Sequence, residues 1–103
     1  MPIEVILAPE AVNSLRRLTA HDRAEVKDAL EVYLRHEPTK ISKSRIKRLR
    51  GMSQPQFRLR VGDIRVFYDV TETAVEVLAI VEKHEAQAWL DEEGTPAPDG
   101  GVG

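Results

Sequence analysis

Cysteine is absent from this chain of 103 residues, and aromatic residues make up only 5% of it. Without cysteine there is no disulfide, no thiolate nucleophile and no cysteine-ligated metal. The histidines, His21, His36 and His84, are scattered along the sequence, so we predict no metal site and no cofactor. No stretch approaches the roughly 20 apolar residues that span a membrane, and the N-terminus does not resemble a signal peptide. We therefore expect a cytoplasmic protein with no membrane contact.

Basic residues are concentrated in one segment, although the net charge of the chain is only −2. Residues 40–65 hold nine basic side chains and one acidic one, so this segment carries +8 and the rest of the chain carries −10. A basic region on an otherwise acidic protein indicates contact with a polyanion such as a nucleic-acid backbone. The alternative is a solvated surface loop, which is what most runs of charge are.

Residues 56–68, QFRLRVGDIRVFY, are the stretch around which the rest is organised. Apolar and polar residues alternate on both sides of Gly62-Asp63, which is the period of a half-buried strand. Glycine takes positive φ without steric cost, so this pair suits a two-residue hairpin turn. Such a turn places Arg60 directly opposite Arg65. One face is then apolar: Phe57, Leu59, Val61, Ile64, Val66 and Tyr68. The other face carries one aromatic residue and three cations: Phe67, Arg58, Arg60 and Arg65.

The three arginines on that face predict an anionic ligand. Like charges directly opposite each other destabilise a sheet by roughly a few tenths of a kcal/mol or more. Phe67, placed among them, is positioned to stack on a nucleic-acid base. Asp69 lies on the same face and offers an alternative to ligand binding, because its carboxylate would pair with Arg65.

Patterns on either side of the hairpin predict the remaining elements. They are a strand at 3–7, a helix from Pro9 to near Thr19, a second helix from the Thr19-x-x-Asp22 capping box to about Glu37, an extended segment at 46–49, a strand at 74–81 and a helix from His84 to about Glu93, which Gly94 ends. The order β-α-α-β-β-β-α predicts an α+β fold in which an antiparallel sheet packs on an N-terminal helical hairpin. We assign residues 1–93 to one domain and expect 94–103, rich in Pro and Gly, to be a flexible tail.

The N-terminal strand and helical hairpin are followed by the KRLRG turn at residues 47–51, the hairpin FRLRVGDIRVFYDV and the strand VEVLAIVEK. This order of segments and motifs resembles the RelE/ParE superfamily of bacterial toxins. The resemblance covers about residues 3–90. It implies the RelE-like microbial ribonuclease fold and a toxin that pairs with a cognate antitoxin protein. RelE-like members cleave mRNA in the ribosomal A site, whereas ParE-like members inhibit DNA gyrase and have no nuclease chemistry.

For the RelE branch, the resemblance implies metal-independent cleavage in which a 2′-OH attacks the adjacent phosphate. Such chemistry needs a base, an acid, and cations for the developing charge. Arg65 matches the phosphate-stabilising position and Lys83 supports it. We predict that His84 is the acid or base, because histidine titrates near neutral pH; alternatively, it only caps the last helix. Arg58 and Arg60 stand where lysines are common in the family, and a guanidinium does not readily serve as a base.

Trp89 matches a tyrosine of many RelE-like nucleases and lacks its ionisable hydroxyl. It either stacks on RNA or packs its helix against the sheet edge. We assign RNA contacts to these residues: Arg58, Arg60, Phe67, Lys47, Arg48, Arg50 and Trp89. The predicted partners are the antitoxin and mRNA in the ribosomal A site, with contacts to 16S rRNA. Two alternatives remain, a ParE-like gyrase inhibitor and a degenerate toxin that retains only antitoxin binding.

Overall fold

A computed structural model describes residues 2–98. Its elements are β1 (Glu4–Leu7), α1 (Pro9–Arg17), α2 (Ala20–Ala29, continued by a π-helical turn, Leu30–Leu34), β2 (Ile46–Arg48), β3 (Met52–Gln54), β4 (Phe57–Val61), β5 (Ile64–Val70), β6 (Ala74–Glu82), a 3₁₀ turn (Lys83–Glu85), α3 (Ala86–Glu93) and β7 (Thr95–Pro96). The main sheet has the order β1-β6-β5-β4-β2, and only β1 runs parallel to its neighbour. The predicted α+β fold is confirmed. Within the described residues, no helix is both long and apolar enough to cross a membrane.

The hairpin of β4 and β5 has the predicted register. Val61 pairs with Ile64 and Arg60 pairs with Arg65 across a two-residue turn. Gly62 has φ of +59° there, a region that side chains with a Cβ disfavour. All six residues of the predicted apolar face are buried. The alternation of apolar and polar residues, together with Gly62, therefore determines the strand pairing at the centre of the sheet.

The helical hairpin forms through the predicted capping contact. The Thr19 hydroxyl accepts a hydrogen bond from the Asp22 backbone N–H at 3.1 Å, which satisfies one of the free donors at the start of α2. The second helix ends at Leu34 rather than near Glu37. Buried residues of both helices pack on the apolar face of the sheet and complete the core: Ala11, Val26, Ala29, Leu30 and Leu34.

Two strand pairings extend the predicted order. The extended segment at 46–49 forms β2, which pairs with β4 at the edge of the main sheet. β3 pairs with β7 in a separate two-stranded sheet. Strands of two or three residues are too short to show alternation, so the sequence did not reveal them. Gly94 ends α3 as predicted; β7 lies within the segment predicted to be a flexible tail, and residues 99–103 of that segment lie outside the described residues.

Tyr68 makes the stability of the fold decrease at alkaline pH. Its buried ring stacks on Phe57, and its hydroxyl donates to the Pro38 carbonyl oxygen at 2.6 Å. Burial raises the pKa of the Tyr68 hydroxyl. The unfolded chain releases this proton above about pH 10 while the folded chain retains it, so stability is full below that pH and falls as the pH rises further.

We expect Tyr68→Phe to remove this pH dependence. At pH 7 the variant loses the hydrogen bond to Pro38 and about 1 kcal/mol of unfolding free energy. Above pH 10 the difference between the wild type and the variant should shrink by up to about 1.4 kcal/mol per pH unit. Urea unfolding between pH 7 and pH 11 measures it, and a difference that stays constant would contradict the assignment to Tyr68.

Candidate nucleic-acid interface

The sheet surface opposite the N-terminal helices carries Lys47, Arg58, Arg60 and Arg65, a set we call the arginine face. Strand pairing arranges the four in two rows. Lys47 lies opposite Arg58 across β2 and β4, and Arg60 lies opposite Arg65 across β4 and β5. Side chains that are direct cross-strand neighbours share a face. The structure therefore brings the three predicted arginines together and adds Lys47 to them.

Positive charge on the arginine face is not neutralised by the part of the chain that the structure describes. Among residues 2–98, none of its four cations forms an ion pair with a carboxylate. Burial lowers the pKa of the Arg58 guanidinium, and the charges of Arg65 and Arg60 lower it further. Burial followed by the charge of Arg60 also lowers the pKa of Arg65, while Asp63 acts in the opposite direction. The three guanidiniums thus repel one another, and an anion would relieve that repulsion.

Arg58 also has an unused hydrogen-bond donor. Its Nε is buried and has no hydrogen-bond partner among the described residues. A buried donor left without a partner costs about 1–3 kcal/mol. A phosphate oxygen or another acceptor that reaches this nitrogen would therefore be bound favourably.

Arg65 is held against the hairpin turn and is only 8% exposed. Its Nη1 donates to the carbonyl oxygens of Gly62 at 2.8 Å and Ile64 at 3.2 Å. Both bonds use the same nitrogen of a group that carries five N–H donors. Arg65 consequently stabilises the turn and is oriented by it.

Lys83 and His84 reach the same turn from the end of β6. The Lys83 backbone N–H donates to the Asp63 carbonyl oxygen at 2.7 Å. The side chain of His84 is 73% exposed, and its Nδ1 lies 3.5 Å from Glu82 Oε2. Neither the 3₁₀ turn nor α3 has a side-chain cap, so the alternative interpretation of His84 as a helix cap is wrong.

α3 covers the aromatic residue of the arginine face. The Trp89 ring stacks on Phe67 with centroids 5.1 Å apart and planes 7° apart, and Trp89 Nε1 donates to Glu10 Oε2 at 2.7 Å. Phe67 is only 1% exposed as a result. The predicted contact of Phe67 with a base is wrong for this conformation, because Trp89 occupies the ring face. Trp89 packs its helix on the sheet, the second of the two roles considered for it.

We expect Trp89→Ala to destabilise the protein by about 2 kcal/mol, since a half-buried ring loses its stack and Phe67 becomes exposed. Trp89→Phe keeps a stacking ring and removes only the bond to Glu10, so it should lose about 1 kcal/mol. Urea unfolding of both variants measures these losses. Equal losses in the two variants would show that the stack contributes nothing.

Three solved structures share this fold. The RelE–RelB complex from Pyrococcus horikoshii OT3 is 26% identical, covers 81% of this chain and 97% of that chain, and has a TM-score of 0.60. The RelBE2 toxin–antitoxin complex from Mycobacterium tuberculosis is 25% identical, covers 80% of this chain and 99% of that chain, and has a TM-score of 0.60. The RelB–RelE complex from Methanococcus jannaschii is 19% identical, covers 82% of this chain and 96% of that chain, and has a TM-score of 0.65. The fold of the chain is RelE-like. No protein-family model and no curated protein matches its sequence.

Asp69 of this RelE-like chain does not pair with Arg65. Its Oδ2 accepts from Gln54 Nε2 at 2.7 Å and its Oδ1 from the Gln56 backbone N–H at 2.8 Å. The alternative ion pair considered for Asp69 is therefore wrong. Because both carboxylate oxygens hold the segment before β4, Asp69 neither neutralises the arginines nor offers a free base to a ligand.

The basic residues of β2 and the following turn separate onto two sides of the RelE-like sheet. Lys47 belongs to the arginine face, and Arg50 is exposed in the turn. The Arg48 guanidinium lies 5.2 Å from the centre of the Phe57 ring and donates to the Gln56 carbonyl oxygen at 3.1 Å. Phe57 belongs to the core between sheet and helices. Arg48 is therefore not part of the arginine face, because successive side chains of a strand point to opposite faces.

His84 lines a cavity that does not include Arg65. This cavity of about 590 Å³ lies between the start of α2, the β4–β5 turn and the end of β6, and His21 lines it too. From the sequence we predicted scattered histidines with no set of ligands around them. The His-Asp-x-x-Glu pattern at 21–25 was visible there, but the approach of His84 to the same cavity depends on tertiary packing.

Proposed function

We propose that this RelE-like protein is the toxin of a type II toxin–antitoxin pair and that it cleaves mRNA in the ribosomal A site. The observation that carries the proposal is the arginine face, where Lys47, Arg58, Arg60 and Arg65 converge with no carboxylate partner among residues 2–98. The similar proteins from P. horikoshii and M. tuberculosis are known in RelE–RelB and RelBE2 complexes. That similarity supports an antitoxin as the partner.

In this proposal the scissile phosphate lies over Arg58, Arg60 and Arg65. The 2′-oxygen of the preceding ribose attacks phosphorus, the P–O5′ bond breaks, and a cyclic phosphate and a 5′-hydroxyl result. Negative charge develops on the phosphoryl oxygens in the transition state, where fixed guanidiniums stabilise it most. The buried Nε of Arg58 supplies a donor that has no other use among the described residues.

Proton transfer is assigned to His84. The leaving 5′-oxygen must gain a proton and the 2′-hydroxyl must lose one. Asp69 is held by two hydrogen bonds and arginine does not readily release a proton. His84 is exposed beside the turn that orients Arg65, so an RNA strand that crosses the turn would reach both. Lys83 adds positive charge at the same place.

A non-catalytic toxin is the second candidate, and one observation favours it. Among the described residues, no carboxylate or histidine stands free on the arginine face itself, because Asp69 is engaged and His84 borders the cavity on the other side of the turn. A protein with this surface would bind a polyanion or gyrase without cutting RNA. The ParE-like gyrase inhibitor and the degenerate toxin both belong to this class.

Two parallel assays separate the candidates. In a reconstituted translation system, the proposed ribonuclease stops synthesis and leaves fragments cut within codons; in a supercoiling assay with purified gyrase it has no effect. Inhibited supercoiling with intact mRNA would identify the gyrase inhibitor. Normal activity in both assays, together with tight antitoxin binding, would identify a degenerate toxin.

A further inference from the structure

The cavity beside His84 brings together two groups of metal-ligating side chains. His21, Asp22 and Glu25 form the first group, in the first turns of α2; Glu82, His84 and Glu85 form the second, at the end of β6. Within each group, one potential ligand atom from every residue lies within 4.8 Å of the others. We call them the α2 triad and the β6 triad. The cavity is lined by all of the α2 triad and by Glu82 and His84 of the β6 triad.

We propose that this cavity binds zinc, with one ion at each triad. A histidine nitrogen together with carboxylate oxygens suits Zn²⁺, whereas Mg²⁺ and Ca²⁺ prefer oxygen ligands alone. Three protein ligands with a fourth position open to water are a common arrangement around this ion. The proposal does not involve the arginine face, but it shares His84 with the proton transfer proposed above.

One pair of ligand atoms in each triad lies near the separation that zinc requires, and the third atom lies within 4.8 Å of them. Two ligand atoms that each lie about 2.1 Å from a tetrahedral zinc ion are about 3.4 Å apart. His84 Nδ1 and Glu82 Oε2 are already 3.5 Å apart. His21 Nε2 and Glu25 Oε1 are 2.8 Å apart, on side chains that are 82% and 52% exposed. The α2 pair must therefore open by a fraction of an ångström, which such exposed side chains permit.

The charge of the cavity also favours a cation. Among the described residues, four carboxylates line it, those of Asp22, Glu25, Asp63 and Glu82, and one Lys or Arg does, Lys83. This sign is opposite to that of the arginine face on the other side of the sheet. An anion such as phosphate is therefore repelled here, while a divalent metal ion gains both ligands and charge compensation.

Zinc titration of the untagged, chelator-treated protein tests the proposal. Calorimetry and equilibrium dialysis with ZnCl₂ should give two bound ions per chain. His21→Ala and His84→Ala should each retain one ion, and the double variant should retain none. His36→Ala is the matched control, because His36 is exposed and belongs to neither triad, and it should retain both ions.

Imidazole NMR signals give a readout that does not depend on stoichiometry. Zinc should shift the ring resonances of His21 and His84 and leave those of His36 unchanged, and a millimolar concentration of Mg²⁺ should not reverse the shifts. Binding that persists in the double variant, or no binding to the wild type, would overturn the zinc site. A single ion that either substitution removes would overturn the assignment of one ion to each triad.

Discussion

Arg65→Ala is expected to lower mRNA cleavage on the ribosome by about 100-fold to 1000-fold, the effect of removing one preorganised group that stabilises transition-state charge. The guanidinium faces Arg60 across the hairpin and is oriented by the Gly62 carbonyl oxygen. Single-turnover cleavage of a defined mRNA on purified ribosomes measures the loss. Undiminished cleavage would show that Arg65 does not stabilise the reacting phosphate.

Two further variants separate charge stabilisation from folding. Arg65 also holds the turn, so its removal changes stability as well as chemistry. Arg60→Ala removes an exposed neighbour that makes no such turn contact, and it should also impair cleavage while the midpoint of thermal unfolding does not fall, because the change also relieves repulsion between facing arginines. Arg48→Ala removes an equal charge from the opposite side of the sheet and should cleave normally. An equal loss in Arg48→Ala would mean that only net positive charge matters.

His84→Gln is expected to lower the cleavage rate by about 100-fold, the lower end of what a positioned general acid or base contributes. Glutamine retains polar atoms of similar size but does not transfer a proton. The cleavage rate of the variant should also lose one limb of its pH dependence relative to the wild type. His36→Gln, a matched change at a histidine outside the site, should cleave at the wild-type rate with an unchanged pH profile.

This experiment also decides between the two candidate functions. Unchanged cleavage in His84→Gln would remove the only free titratable group that we assign to proton transfer. If the wild type does not cleave RNA at all, the arginine face acts as a binding surface, and inhibition of gyrase becomes the activity to measure. If the wild type and His84→Gln both cleave slowly at rates that do not depend on pH, positioning and charge alone account for cleavage.

The features predictable from the sequence were those set by local rules. Alternation and Gly62 predicted the register of the hairpin, and with it the clustering of the three arginines. The helix cap at Thr19 and the stop at Gly94 depend on a few neighbouring residues and were also confirmed. Each of these contacts is decided within a short stretch of chain, where spacing alone carries the information.

The contacts that escaped prediction join segments far apart in the chain. Phe67 was correctly placed on the arginine face, but only packing shows that Trp89 covers it. Asp69 was considered as an ion-pair partner of Arg65, whereas its carboxylate accepts hydrogen bonds from Gln54 Nε2 and from the Gln56 backbone N–H. The side of the sheet on which Arg48 lies follows from its position in β2, a three-residue strand that is too short to show alternation.

The arginine face as a ribonuclease surface is tested most directly by mapping RNA ends during translation. A defined mRNA is translated by purified ribosomes with and without the protein, and the 5′ ends of the fragments are located at nucleotide resolution. The account predicts cuts within the codon in the A site, only when ribosomes are present, and about 100-fold to 1000-fold fewer of them with Arg65→Ala. Intact mRNA and undisturbed translation at stoichiometric protein would contradict it.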